Sequence, residues 1–427
     1  MKIKVKKMDY DEVLKQPAFK KLPPRKPSIL FRTLLKLLSS SDLKATNFTY
    51  TQTGMERLGK NEPALILMNH SSFIDLKIAS TILYPRPFNI VCTSDGFVGK
   101  EWLMRRIGCI PTNKFVTDAQ LVRDILYALK TNHCSVLMYP EASYSFDGTA
   151  TPLPESLGKC LKLLGVPVIM IRTYGAFSRD PLYNGLRLRN VDVSCDMEYV
   201  LSPEDIDNMT VDELNGKLNE LFTFDNFEWQ IENKVRITEP TRAEGLNRVL
   251  YKCPECLAEG SMIAKGTAIS CDKCGCEYEL SEYGELIRSN GKARFSTVPK
   301  WYRWERDCVR DEILYNSYKL DVPVEILMMV NTDCIYDVGE GRLVHDENGF
   351  QLTGCGGRLD YSQKPTASYS LYSDYFWYEI GDMICIGNKK VLYYCFPKCE
   401  GDVVAKTRLA AEEMYKLART KSVSRIK

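Results

Sequence analysis

The chain has 427 residues, 44% hydrophobic and 26% charged, and its 57 Lys/Arg against 55 Asp/Glu leave a net charge of +2. That length exceeds one ordinary core and predicts two to three domains of soluble globular composition. No apolar run reaches the roughly 18–20 residues that span a bilayer, and the N-terminus lacks the apolar core and cleavage site of a secretory signal. The expectation is a cytoplasmic protein whose 16 cysteines serve as thiols and metal ligands, not disulfides.

Residues 1–47 read as a basic segment. Positions 1–44 hold twelve Lys/Arg and four Asp/Glu, which suits either a solvated tail or a footing on an anionic surface. After Pro23, Pro24 and Pro27, residues 28–38 predict a short helix. Ile29, Leu30, Phe31, Leu34, Leu35, Leu37 and Leu38 give it a broad apolar face beside Arg32 and Lys36. Such a face packs on a main domain or lies in a membrane interface without crossing it. From 48 to 245, short apolar runs at 64–68, 88–92, 135–139 and 166–171 alternate with helical stretches. Those stretches are 74–83, 101–107, 119–129, 154–164 and 211–222, the last with Thr210 as N-cap. This alternation predicts an α/β layered domain with ligand loops at its strand ends. Composition changes near residue 246. Residues 246–290 carry paired cysteines, and 291–427 are rich in aromatic and β-branched residues, with hairpin signals at Asn348-Gly349 and Gly387-Asn388. The aromatic stretch 372–378 reads as a strand of that C-terminal core, and 402–420 predicts a closing helix. Many strands followed by one helix resemble pleckstrin-homology-like modules in order, so 291–427 is expected to be a mainly β domain with a terminal helix.

Three histidines occur, His70, His133 and His345. His70 follows the first apolar run in Asn69-His70-Ser71-Ser72-Phe73-Ile74-Asp75. An imidazole titrating near pH 6.5 is a natural general base for a hydroxyl, and a carboxylate on its other nitrogen fixes tautomer and orientation. In one continuous helix, residues five apart differ by about 140° in direction. His70 and Asp75 therefore converge only if the chain is irregular at His70 and helical after it. Ser71 or Ser72 suits the N-cap of that helix. Spacing alone fits a structural His–Asp pair equally well.

The run Asn69-His70-x-Ser72-x-x-Asp75 resembles the first motif of the lysophosphatidic acid and glycerol-phosphate acyltransferase family. In the same order, Gly108-Cys109-Ile110-Pro111-Thr112-Asn113-Lys114 is similar to the family's second motif. Tyr139-Pro140-Glu141-Ala142-Ser143-Tyr144-Ser145 is similar to the third, and Val166-Pro167-Val168-Ile169 to the fourth. The resemblance covers about residues 45–240 and implies a layered glycerolipid-acyltransferase-like domain at 48–245. It implies that His70 and Asp75 are catalytic, moving a fatty acyl group from acyl-CoA or acyl-ACP to a lysophospholipid hydroxyl. The leading acceptor is 1-acyl-sn-glycerol 3-phosphate, in phospholipid biosynthesis at the cytoplasmic membrane face. Gly108, Ile110, Lys114, Glu141, Ser143 and Tyr144 become the implied substrate-binding positions. Two departures bear on the acceptor. Ala142, Ser143 and Tyr144 stand where the family offers Gly, Thr and Arg, and Ser94-Asp95-Gly96 stand where a Lys is common. The missing guanidinium weakens the case for a phosphate, although Lys114 remains. A different lysolipid, an unphosphorylated alcohol, or lipid binding without turnover stay open.

Cys253-Pro254-Glu255-Cys256 and Cys271-Asp272-Lys273-Cys274 are two C-x-x-C knuckles separated by fourteen residues. Four tetrahedral thiolates are what structural zinc takes, so 246–290 predicts a zinc ribbon. Cys276 is an alternative to Cys274. The metal would replace a hydrophobic core in a segment too small to have one. A nucleic-acid partner is not expected, since the ribbon segment is not notably basic.

Overall fold

The computed structural model describes residues 2–20, 22–116 and 118–424. A seven-stranded sheet runs in the order Thr49–Thr53, Ser194–Leu201, Val168–Tyr174, Leu65–Met68, Ser135–Met138, Phe88–Thr93, Cys109–Thr112. Neighbours are parallel except for the antiparallel pair Val168–Tyr174 and Ser194–Leu201. The central strand Leu65–Met68 is fully buried, so it reads as an unbroken apolar run. Ile66 and Met68 face one core layer with Ile78, Ile82 and Ile169, while Leu65 and Leu67 face the other with Ile125, Leu161 and Leu218. All four strands and five helices expected in this region are present, with shifted ends. The three strands not anticipated have reasons. Thr49–Thr53 is polar and exposed, Cys109–Thr112 is an edge strand containing Pro111, and Ser194–Leu201 alternates instead of running apolar.

Beyond residue 246, Met262–Lys265, Ala268–Cys271, Glu277–Leu280 and Leu286–Arg288 form a four-stranded antiparallel sheet. A second sheet has the order Leu359–Gln363, Gly349–Gly354, Ile335–Asp346, Leu320–Met329, Leu392–Pro397, Gly381–Gly387, Tyr372–Trp377. The helix Val404–Ser424 closes it. Both expected hairpins are there, joining Ile335–Asp346 to Gly349–Gly354 and Gly381–Gly387 to Leu392–Pro397.

Three expectations change. Residues 1–47 are not a separate segment, because Val5–Lys7 pairs in parallel with Ile335 to Asp337 and adds an eighth strand to the C-terminal sheet. Tyr10 and Val13 enter that core, and Arg358 bridges Asp9 and Asp11 at 2.8 Å. The predicted amphipathic helix extends over Ile29–Ala45 with Ser28 as its cap. Its Leu43 is buried, whereas Ile29, Leu30, Leu34, Leu37 and Leu38 stay exposed. Next, Val298–Leu314 is a helix, although its aromatic content suggests strand. Val298, Trp301, Tyr302, Glu305 and Val309 are buried at helical spacing. Finally, the boundaries at 245/246 and 290/291 do not separate cores. Phe146, Tyr183, Tyr251, Tyr278, Trp301 and Tyr336 share one apolar cluster. Among the described residues no helix is long and apolar enough to cross a membrane.

Candidate active site

His70 lies just past the carboxyl end of the central strand, where the layered fold leaves ligand space. Asn69 ties this exit to the next strand by accepting the Thr173 N–H at 2.9 Å. The His70 N–H donates to Glu141 Oε2 at 2.9 Å, and Glu141 Oε1 accepts the Thr151 N–H at 2.8 Å. His70 Nδ1 is 3.1 Å from Asp75 Oδ2, which also accepts the Ser71 and Ser72 N–H groups at 2.9 and 3.1 Å. The imidazole is stacked on Tyr139 and meets a tilted Tyr144 ring, each 4.1 Å away by ring centroids. The chain thus bends at His70 and turns helical at Asp75. Neither Ser71 nor Ser72 occupies the N-cap. Ile74 does, while Ser72 Oγ accepts the Ile74 N–H and donates to Asp180. Asp75 gathers the loop itself.

Burial holds the His70 imidazole well below its usual pKa, and the charge on Lys114 adds to this. Burial also pushes Asp75 up to about 7 against the pull of its two backbone N–H donors. Glu141 is pushed up to about 7 for the same reason, opposed by the Thr151 and His70 amides. The arrangement is a neutral base whose Nδ1–H points to a carboxylate and whose other nitrogen is left for a ligand.

His70 and Asp75 open on a cavity of about 1530 Å³. Of the other expected site residues, Lys114 and Tyr144 line it, whereas Gly108, Ile110, Glu141 and Ser143 do not. Gly108 has φ +94, and a Cβ there would sit 3.1 Å from the Phe88 carbonyl and 3.2 Å from Pro27 Cδ. It shapes the entry to its strand. Ile110 is packed in the core, Glu141 holds the His70 loop from behind, and Ser143 is buried with its hydroxyl on the Tyr144 carbonyl.

The other part of the wall comes from the C-terminal sheet. Tyr369, Tyr372, Asp374 and Trp377 line the cavity. Asp95 Oδ2, buried under this sheet, accepts from Tyr372 Oη at 2.7 Å, Trp377 Nε1 at 3.2 Å and Tyr394 Oη at 3.5 Å. Tyr369 Oη donates to the Pro140 carbonyl at 3.3 Å, and Arg408 donates to the Tyr144 carbonyl at 3.2 Å. The loop behind His70 is therefore clamped from the far end of the chain. The stretch 372–378 was visible as a strand, but nothing local marks its partners.

The four cysteines expected to bind metal converge. Sγ atoms of Cys253, Cys256, Cys271 and Cys274 all lie within 4.8 Å of one another. Cys253–Cys274 and Cys256–Cys271 are each 3.7 Å apart. A tetrahedral ion with bonds of about 2.3 Å to sulfur needs edges of about 3.8 Å, so the donor set fits a metal ion. Cys276 Sγ is 3.5 Å from Cys253 Sγ and remains a neighbour of the cage. None of these cysteines lines the cavity.

Residues 49–173 match the family model described as Acyltransferase. Among solved structures, the chain is similar to the 1-acyl-sn-glycerophosphate (LPA) acyltransferase PlsC from Thermotoga maritima, at 15% identity and a TM-score of 0.38. That likeness covers 45% of this chain and 76% of the other. No curated protein matches the sequence.

Proposed function

We propose, because residues 49–173 carry an Acyltransferase-family domain, that this chain is an O-acyltransferase moving a fatty acyl group from a thioester to a lysolipid hydroxyl. The observation that carries the reading is a neutral imidazole, held 3.1 Å from Asp75, opening on a cavity of about 1530 Å³. His70 Nε2 takes the proton of the acceptor hydroxyl as its oxygen attacks the thioester carbonyl. Asp75 balances the imidazolium charge. The tetrahedral intermediate collapses, the C–S bond breaks, and the leaving thiolate recovers the proton from His70. Tyr139 and Tyr144 keep the ring from turning, and Glu141 keeps its backbone in place. Lys114 and Tyr144 are the proposed substrate contacts. The donor is acyl-CoA or acyl-ACP, and 1-acyl-sn-glycerol 3-phosphate is the reference acceptor, which would place the reaction in phospholipid synthesis. His70→Ala should lower acyl transfer by about 10²–10⁴-fold with an unchanged melting curve. Unchanged turnover would sink the mechanism.

The four-cysteine cage holds zinc in a structural role. The strand order and closing helix of 291–427 support a pleckstrin-homology-like module. The exposed Ile29, Leu30, Leu34, Leu37 and Leu38, with Trp102 and Leu103 nearby in space through the Phe31–Trp102 contact, support a peripheral membrane footing. Flotation with anionic vesicles should fall when Leu30 and Leu37 are both changed to Glu. Equal flotation of that variant would remove the footing.

A further inference from the structure

We infer that the acceptor carries an uncharged, hydroxyl-bearing head group, selected jointly by Lys114 of the acyltransferase domain and Asp374 of the C-terminal sheet. The inference rests on the acyl-transfer reading above and replaces its phosphate-bearing reference acceptor with a neutral one. The cavity wall carries three Lys/Arg, which are Lys114, Lys159 and Arg419, against six Asp/Glu. Lys159 is exposed, and Arg419 is exposed and paired with Glu155. Among the described residues Lys114 is thus the one cation drawn inside the wall. Its ammonium sits 4.3 Å over the Tyr372 ring and feels the charges of Asp374 and Asp95, yet closes an ion pair with neither. The neighbouring buried guanidinium, Arg408, lies outside the wall and is committed to the Tyr144 carbonyl and Glu412.

Asp374 supplies the selective element. Asp374 lines the cavity wall, and its buried Oδ1 has no hydrogen-bond partner among the described residues. An orphaned acceptor of this kind is costly, and a ligand O–H that donates to the Asp374 carboxylate recovers that cost. The same hydroxyl oxygen accepts from Lys114. A phosphate dianion has no hydrogen for the Asp374 carboxylate and adds like-charge repulsion. Burial pushes Asp374 up to about 7, with Lys114 opposing. A neutral hydroxyl is served in either state, donating to the carboxylate or accepting from the carboxyl. A phosphate is served only by the protonated form.

The test offers the full-length wild type one acyl-CoA donor at pH 8, with short-chain 1-monoacylglycerol and the matching 1-acyl-sn-glycerol 3-phosphate as competing acceptors. The kcat/KM ratio should favour monoacylglycerol by about tenfold or more, and Asp374→Asn should move it toward the phosphate by about tenfold. A wild type that favours the phosphate, or a ratio unmoved in a folded Asp374→Asn, overturns the inference while leaving acyl transfer standing. Should Asp374→Asn fail to fold, the wild-type ratio decides alone. If neither lipid is acylated, the acyl-transfer reading falls instead. Calorimetric binding of both lipids to wild type then decides the head group, with tighter binding of the phosphate refuting the inference.

Discussion

The seven-stranded sheet carries His70 just past a strand whose four residues are all buried and apolar, so the position of this imidazole is set by packing a few residues away. The opposite wall of the same cavity hangs from a C-terminal sheet tied down by polar groups, three donors on Asp95 and two on the loop behind His70. Its ribbon partner relies on a cysteine cage. Apolar packing is local in its demands and tolerates repacking, whereas buried polar tethers fail as units when one member goes. The proposed base therefore sits on the tolerant region, and the shape of the cavity beside it depends on the brittle one.

The largest effect should come from breaking the brittle region at its cysteine cage. Chelation or Cys253→Ser should cost on the order of 5–10 kcal/mol, because Cys253, Cys271 and Cys276 belong to the same apolar cluster as Trp301 and Tyr336. Zinc content and the urea midpoint measure it. Cys274→Ser should be milder, since Cys276 stands 3.5 Å from Cys253. Equal loss in both variants would exclude Cys276 as a substitute ligand. Next, Asp95→Ala should destabilise by about 3 kcal/mol by stranding Tyr372, Trp377 and Tyr394. A denaturant series checks this, and a midpoint unchanged from wild type would show that the two sheets are not held through this carboxylate.

Within the tolerant region the expected change is in rate, not stability. Asp75, at about 7, balances the imidazolium charge that forms on His70 only as a carboxylate. Below that pH it takes up a proton, so kcat should fall by about tenfold per unit on the acid side. The imidazole sits well below its ordinary value and does not set this limb. A pH–rate profile on a neutral acceptor tests the assignment. An acid limb that persists unchanged in Asp75→Asn would hand it to another group.

The same contrast explains what was legible in the sequence. His70 and Asp75 are five positions apart and follow a strand, so pattern and geometry locate both. The cysteine knuckles carry their own spacing. Asp95 and Tyr372 are 277 positions apart, and neither has a local signature that names the other. Val5–Lys7 joins its sheet through backbone pairing while its side chains stay exposed, which leaves no hydrophobic pattern to read. The helix Val298–Leu314 was readable in principle. Its buried positions at 298, 301, 302, 305 and 309 have helical period, but its aromatic composition points to strand.

The smallest expected effect lies in the loop that the two regions share. Ala142 adopts φ +57, in the left-handed region where a Cβ costs about 1–2 kcal/mol. Its amide donates to the Tyr139 carbonyl at 3.0 Å, so the conformation is fixed by the turn that presents Tyr139 and Tyr144 to His70. Glycine removes the Cβ strain but adds unfolded-state entropy of about 0.5–1 kcal/mol. Ala142→Gly should therefore stabilise by about 0.5–1 kcal/mol, read as a higher urea midpoint at unchanged slope. Since Glu141, Tyr369 and Arg408 still hold the loop, kcat should stay within about twofold of wild type. A large fall in kcat with the midpoint raised would mean that the methyl group, and not the clamp, keeps the two tyrosines against the imidazole.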